Sequence, residues 1–399
     1  MARIRSGPVR GDASARTALA AWLPLLPSLA AALVLAVGMG FGRFAFTGMY
    51  PLMVRDGLLS VSAGSLAASA NYAGYLAGAL AMTRSPERAA PFLCRVALLG
   101  TAACLLALAL PAAPGFFIAV RFLAGVFSAI ALIAASVWLF HLPGQAHSAP
   151  LLFSGVGAGI LLSAELIAAG NAAGWHSPVL WSALCAGSAV LALPAWPHFG
   201  ASRAPQPPPS PNAPGHAGYP AARTGDPGPW PLVASYGLAG FGYIVTATYL
   251  PLFVRDALGH IDPVHIWAAF GLGAAPSCFF WHALHNRLGT RRALALNLLV
   301  QAVGVILPAL SQAAPSYLAS ALLVGGTFVG TVTIAMPAAK RMAHAVRFNL
   351  LAAMTAAYGV GQIAGPLVSN ALMAHAQSFA GPLAAATVAL LASTAACFL

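Results

Sequence analysis

Twelve apolar runs follow one another along this chain, with almost no room for anything else between them. They fall near residues 26–52, 61–82, 91–111, 115–140, 149–170 and 177–196, and again near 230–254, 264–285, 292–311, 316–338, 349–373 and 377–398. A helix needs roughly 20 apolar residues to cross the ~30 Å hydrocarbon core of a bilayer. The runs have that length, and they lack the short alternating strands of a membrane barrel. The sequence therefore predicts an all-α integral membrane protein with twelve transmembrane helices. Composition leaves no soluble alternative. The chain is 60% hydrophobic and 7% charged, whereas a soluble domain is about 25% charged.

A net charge of +12 would suit a nucleic-acid binder, but its distribution argues against one. Fifteen of the nineteen basic residues gather in five places: Arg3, Arg5, Arg10 and Arg16; Arg84, Arg88 and Arg95; Arg203 and Arg223; Arg287, Arg291 and Arg292; and Lys340, Arg341 and Arg347. If every run spans, all five lie on one face, which is the positive-inside pattern. Both termini are expected in the cytoplasm. The scarcity of lysine, one against eighteen arginines, suits a bacterial inner membrane protein. The first apolar run is longer than the 7–15 residues of a signal-peptide core, so it reads as an uncleaved helix. Five cysteines (Cys94, Cys104, Cys185, Cys278, Cys397) lie in or at the end of apolar runs without metal spacing. They read as small core residues.

The chain also repeats itself. "PLMVRDGLLS" begins at Pro51 and "PLFVRDALGH" at Pro251. At an offset of 200, Gly40-Phe41-Gly42 falls on Gly240-Phe241-Gly242, and Val54-Arg55-Asp56 falls on Val254-Arg255-Asp256. Nine of the 19 positions from 40 to 58 are identical, where chance gives roughly one or two for such a composition. Weaker echoes pair Gly125 with Gly326, and Gly155-Val156-Gly157 with Gly359-Val360-Gly361. Six helices separate the two phrases, so both emerge on the same face. The chain divides into a basic N-terminus (1–25), a six-helix half (26–196), a linker (197–229) and a second, parallel six-helix half (230–399). The linker is too rich in proline, glycine and serine to build a core. Parallel repeats of this kind are a transporter architecture, with the site at their interface.

These features resemble the major facilitator superfamily. Its loop 2–3 signature, G-x-x-x-D-R-x-G-R-R, is matched by "HALHNRLGTRR" (282–292) through Arg287, Gly289, Arg291 and Arg292. Asn286 stands where the signature has aspartate, and His282 where it has glycine. The first copy, "GALAMTRSPER" (78–88), keeps Gly78 and little else. "VRFLAGVFSA" carries the helix 4 arginine–glycine pair as Arg121 and Gly125. "YGVGQIAGP" (358–366) is a fuller version of the helix 5 pattern seen in "SGVGAGILLSA". More narrowly, "GFGRFAFTGMYPLM" and "ASANYAGYLAGAL" resemble the YbfB/YjiJ branch. The resemblance implies a secondary transporter, monomeric, with a gating loop at 286–292 and a cavity lined by the first and fourth helices of each half.

Few residues can carry chemistry. Of seven acids, only Glu165 lies well inside an apolar run, and Arg43 and Arg121 share its situation. A buried ionisable group in a membrane is costly, and it is a functional hypothesis by default. At a rise of 1.5 Å per residue, Arg43 and Glu165 come roughly 25 Å from the cytoplasmic face and Arg121 about 9 Å from the opposite one. All three then fall in one layer. The layer has three readings: a structural Arg–Glu pair, an arginine site for an anionic substrate group, or a proton-coupling role for Glu165. The repeat partner of Arg43 is Tyr243, so a charged site would be asymmetric. Asn71 and Tyr75 share a face of helix 2 and either knit helices or line a cavity. Tyr243 and Gln362 are further cavity candidates. His282 and His285 have i,i+3 spacing with no carboxylate or cysteine beside them, so no metal site is read there, and no phosphate-binding Gly-rich loop with a lysine is present.

The expectation is a secondary active transporter for a small organic solute, by alternating access, with proton coupling as an option. It needs no cofactor, and its expected partners are the bilayer, a small molecule and, under the proton-coupling option, H+. A membrane-embedded enzyme or a sensor of the same fold is the alternative.

Overall fold

Each apolar run becomes one helix, because inside a bilayer a spanning backbone must satisfy its own hydrogen bonds. The computed structural model describes residues 25–145, 148–200, 227–254, 262–342, 346–347, 350–376 and 378–399. The basic N-terminus, most of the linker with Arg203 and Arg223, and the second-copy pair Arg255–Asp256 lie outside the described residues. In the first half, α1 is Leu26–Arg55, α2 Val61–Met82, α3 Ala90–Leu108, α4 Pro114–Phe140, α5 Ala149–Ala172 and α6 Ser177–Ala195. In the second, α7 is Pro229–Val254 and a continuous segment, Val264–Leu310, holds two spans. Gly289, at φ 75° and ψ 174°, breaks it into α8 (264–288) and α9 (290–310). Positive φ is a conformation that glycine adopts at little cost. Ala314–Met342 is α10, Leu350–Ala376 is α11 and Ala380–Ala396 is α12. Among the described residues these are the twelve long helices expected, with ends within four residues of the apolar runs.

The helices sort their side chains by size. Large apolar groups such as Phe92, Leu106, Val190, Leu193, Phe279 and Phe280 are exposed and face the lipid. The contacts between helices use small residues, which let backbones approach closely. A Cβ placed on Gly40 of α1 would lie 2.4 Å from Gly159 of α5, so neither position tolerates a side chain. Its repeat partner Gly240 meets Tyr358 of α11 in the same way. The Gly125–Gly326 echo is also kept: Gly125 packs on Asn71 of α2 and Gly326 faces Gly273 of α8. The echo between α5 and α11 differs in role. Gly155 packs on Ala32 of α1, whereas Gly359 packs on Leu76 of α2, across the divide between the halves.

Within α1, the stretch Ala36–Phe44 is a π-helix. Its sequence, AVGMGFGRF, has three glycines, and all nine residues are buried. A π-helical turn inside an α-helix is uncommon and is found preferentially at functional sites. It rotates the side chains that follow it and carries Arg43 near its end.

The first copy of the repeated phrase has a structural task. Arg55 donates to Asn171 at the end of α5 (2.7 Å) and to Asp56 (2.8 Å). Asp56 accepts from both the backbone N–H (2.8 Å) and hydroxyl (2.7 Å) of Ser177, the first residue of α6. It thus caps a helix N-terminus from a different helix. Burial alone would push its carboxyl up, but hydrogen bonds from Arg55 and Ser177 and the charge of Arg55 outweigh that and hold it at about 2. The carboxylate's stabilisation is therefore complete above pH ~4 and is lost as pH falls through ~2. Asp56→Ala should cost about 0.5–2 kcal/mol, as for loss of an N-cap. It should also remove this acid-labile contribution. Unfolding of both proteins in detergent between pH 2 and 7 measures it, and equal stability at pH 7 would refute the capping role.

Candidate functional site

A cavity of about 180 Å³ lies where α1, α2, α4 and α5 face α7, α10 and α11. It occupies the half of the bundle nearer the linker. Its walls run from Arg43, Tyr243 and Gln362 down to Ala79, Phe153, Met336 and Thr355, which lie close to the linker-side ends of their helices. Above Arg43 the two halves close on each other. Thr47 donates to the Ala247 carbonyl (2.6 Å), and Trp267 donates to the Phe44 carbonyl (3.1 Å). Tyr249 donates to Ser65 (2.8 Å), and the Tyr72 and Thr248 hydroxyls share a hydrogen bond of 3.0 Å. The rings of Tyr50 and Tyr249 pack 6.1 Å apart. These contacts seal the side away from the linker.

Arg43 is the charged group among the described lining residues of this cavity. It is 2% exposed. Its guanidinium carbon lies 4.2 Å from the Tyr75 ring centre, 5.0 Å from Tyr72 and 5.3 Å from Phe44. Such rings attract a cation through their quadrupole, but they use none of its N–H donors. Nε and Nη2 of Arg43 have no hydrogen-bond partner. A guanidinium presents a planar fork of donors suited to carboxylate or phosphate. Opposite it, Gln362 donates to the Tyr243 hydroxyl, leaving Oε1 of Gln362 without a partner. Tyr243 stacks on Phe328 (5.4 Å) and Tyr358 (5.8 Å), and Tyr358 stacks on Tyr236 (4.5 Å). The cavity thus offers a cation, one amide and a wall of aromatic rings.

Arg121 is equally buried and does something else. Its Nη1 and Nη2 donate to the carbonyls of Gly42 and Arg43, both at 3.0 Å. Its guanidinium also lies 4.4 Å from the Phe46 ring centre. These two carbonyls end the π-helical stretch, so Arg121 straps α4 to the distorted part of α1. Asn71 donates to the Arg121 carbonyl at 2.8 Å and ties α2 to α4. Neither residue lines the cavity.

The Arg–Glu layer expected from the sequence does not form. Glu165 accepts from Nδ1 of His265 of α8 at 3.0 Å, and both side chains are 48% exposed. Position along the helix does not settle direction around it. On α5 the residues Ser163, Ala164, Ile167 and Ala168 are buried, and Glu165 points away from them. Next to it, Asn171 donates to Asp262 at the start of α8 (2.5 Å). These groups form a polar clasp between α5 and α8, outside the lining of the cavity that holds Arg43.

The structure therefore brings Arg43, Tyr75, Tyr243 and Gln362 to one cavity and leaves Arg121, Asn71 and Glu165 outside it. Phe44, Phe328 and Tyr358 join the site without having been singled out as candidates. Tyr358 was in view in "YGVGQIAGP", three residues before Gly361, which packs on Gly237 of α7. In the gating-loop motif, Gly289 makes the corner between α8 and α9. Asn286, Arg287 and Arg292 are exposed, and Arg291 is partly buried. The neighbouring Thr290 receives a hydrogen bond from Arg341 (2.7 Å) and shares one with His285 (3.2 Å). Among the described residues no group of three or more His, Cys, Asp or Glu side chains could hold a metal.

If Arg121 is a strap, its removal should cost stability. A hydrogen bond to a charged group is worth about 1.5–3 kcal/mol, so Arg121→Met should lose roughly 3–5 kcal/mol. Arg43→Met, which breaks no hydrogen bond through Nε or Nη2, should be far milder. Thermal unfolding in detergent ranks the two, and the opposite order would refute this division of roles.

Comparison with known proteins agrees with this geometry. No curated protein matches the chain. Among solved structures, a bacterial homologue of the human lysosomal transporter Spinster, in an inward-facing and occupied conformation, aligns with a TM-score of 0.65 at 14% identity. The alignment covers 93% of this chain and 95% of that one. At such identity the likeness establishes the fold. A family model described as "Uncharacterised MFS-type transporter YbfB" matches residues 35–397, and on that match the chain belongs to this family of major facilitator transporters.

Proposed function

We propose that the protein carries a small organic anion across the membrane by alternating access, with Arg43 as the anion site. The observation that carries this reading is a buried guanidinium with two unpartnered nitrogens, Nε and Nη2, in a cavity between the halves. A cation in that setting needs an anion or water. The aromatic wall formed by Tyr243, Tyr358 and Phe328 favours a flat apolar body attached to the charged group. A volume of about 180 Å³ is below the 300–1,000 Å³ of drug-sized pockets and suits a small solute. No acid/base pair faces the cavity among its described lining residues, which favours transport over catalysis.

The basic face is taken as cytoplasmic by the positive-inside rule, with the linker (197–229) and both termini on that side of a bacterial inner membrane. The closed seal around Thr47 and Tyr249 then faces outward, and the conformation is inward-facing. The halves 26–196 and 230–399 would rock about this seal, and a monomer contains the whole site. Proton coupling through Glu165 gains no support from its position, since it lies outside the cavity and half-exposed beside His265.

The test uses the purified protein in liposomes, with benzenesulfonate and benzoate as anions and their uncharged amides as controls. The anions should raise the unfolding temperature and enter the vesicles, and the amides should do neither. Arg43→Gln should weaken anion binding by roughly 10- to 150-fold, the equivalent of one or more charge-assisted hydrogen bonds. Glu165→Gln should leave uptake within about twofold, because an exposed ion pair contributes only ~0–1 kcal/mol. Equal response to anions and amides, or an unchanged affinity in Arg43→Gln, would remove the anion-site reading.

A further inference from the structure

The charges around the cavity are unbalanced. Arg43 lies at the top of the cavity, and Arg121 donates to the carbonyl of Arg43 itself at 3.0 Å. Two guanidinium groups thus share one neighbourhood in the middle of the first half. Among the described residues the acids stand elsewhere: Asp56 caps α6, Glu87 pairs with His141 at the linker side, Asp262 pairs with Asn171, and Glu165 pairs with His265. Arg121 keeps its two carbonyls in any state of the carrier, because α1 and α4 belong to the same half. Arg43 keeps only rings of its own half, Phe44, Tyr72 and Tyr75, which stabilise a cation weakly and satisfy no donor.

The consequence concerns the return of the empty carrier. While the cavity is open toward the linker, water in it can still screen the guanidinium on its wall, although Nε and Nη2 are themselves buried without partners. To turn outward, the linker-side mouth must close. With an anion bound, the closing cavity encloses a neutral pair. Without one, closure strands an unpaired cation in a low-dielectric space, which costs several kcal/mol even after relaxation. A group whose desolvation penalty appears only in the empty transition raises the barrier for that transition alone.

We propose that the protein is an anion exchanger: Arg43 acts as a charge lock that lets the carrier turn only when an anion fills the cavity. The inference rests on the anion-site reading above and adds a stoichiometry to it. One anion leaves for each that enters, and the positive charge of the site crosses neutralised both ways. No proton is required for either half-cycle.

Two measurements test it. In the first, proteoliposomes are loaded with unlabelled benzenesulfonate or with neutral benzenesulfonamide, and the membrane potential is clamped with potassium and valinomycin. Radiolabelled benzenesulfonate should enter the anion-loaded vesicles at least tenfold faster. Equal rates would overturn the exchange mechanism while leaving Arg43 as an anion site. The second needs no transported anion. Thr47 is 4% exposed within the outer seal, so Thr47→Cys should react with a charged methanethiosulfonate only when the carrier turns outward. The parent protein with its five native cysteines sets the background. With chloride as the sole small anion, labelling should be slow in the Arg43 protein and in Arg43→Lys, and at least tenfold faster in Arg43→Gln. Equal labelling in all three overturns the lock. Fast labelling of Arg43→Gln together with no tracer entry into either vesicle population keeps the lock and refutes only the choice of aromatic anions.

Discussion

The hydrogen bonds from Arg121 to the carbonyls of Gly42 and Arg43 are the constraint on which the site depends. They are made by a buried cation to backbone, in a place where neither partner can turn to water instead. They hold the end of a π-helical stretch that an α-helix would otherwise repair. Three glycines make that stretch possible, and the close approach of Gly40 to Gly159 fixes its position against α5. The direction of the Arg43 side chain follows from that backbone. One arginine is spent on geometry so that its neighbour can be presented with its donors unsatisfied. A buried donor without a partner is expensive, and each one calls for an explanation such as strain, a water, an ion or a ligand.

The second constraint is the division of labour along the membrane normal. On the side away from the linker the two halves share polar contacts: Thr47 with Ala247, Tyr72 with Thr248, Ser65 with Tyr249, Phe44 with Trp267. Farther out, Asn171 with Asp262 and Glu165 with His265 join α5 to α8. Several of these are single hydrogen bonds from a hydroxyl or an indole, worth about 0.5–1.5 kcal/mol each. Such contacts can be exchanged for others without a prohibitive barrier, as the alternating access proposed above requires. The helix pairs α5–α8 and α2–α11, in contrast, are packed through Gly157 against Ala275 and Gly359 against Leu76. Small-residue surfaces of this sort slide and rock with little steric cost.

The fold was almost entirely legible in the sequence, and the site only in part. Hydrophobic length fixed twelve spans, and Gly289 marked the corner between α8 and α9 where the motif placed it. Position along each helix was legible too, since each residue adds a known rise. Direction around the helix was not. A soluble helix reveals its inner face by amphipathicity, but here α5 is apolar all round, and lipid-facing leucines look like core leucines. Glu165 could therefore be placed beside Arg43 on paper while it points to His265 in the fold. The π-helical segment was hidden for a related reason. Its glycines read equally well as helix-packing contacts, which they also are.

The duplication explains how a site could arise at this place. Positions 43 and 243 are equivalent in the two halves, and both line the same cavity. Identical residues at these two positions would face the same cavity from both halves. Two arginines there would repel, and two tyrosines would give a cavity with no charge to recognise. The present pair, Arg43 and Tyr243, avoids both outcomes. The arginine end is kept in register by Arg121, which the first half alone possesses. The tyrosine end is held by Gln362 and stacked on Phe328 and Tyr358. On the anion-site reading proposed above, a solute with a charged end and a flat end has one preferred orientation between the halves. A site that is asymmetric in chemistry but symmetric in position touches both halves at once, which is the arrangement by which a bound solute can bias how they rock.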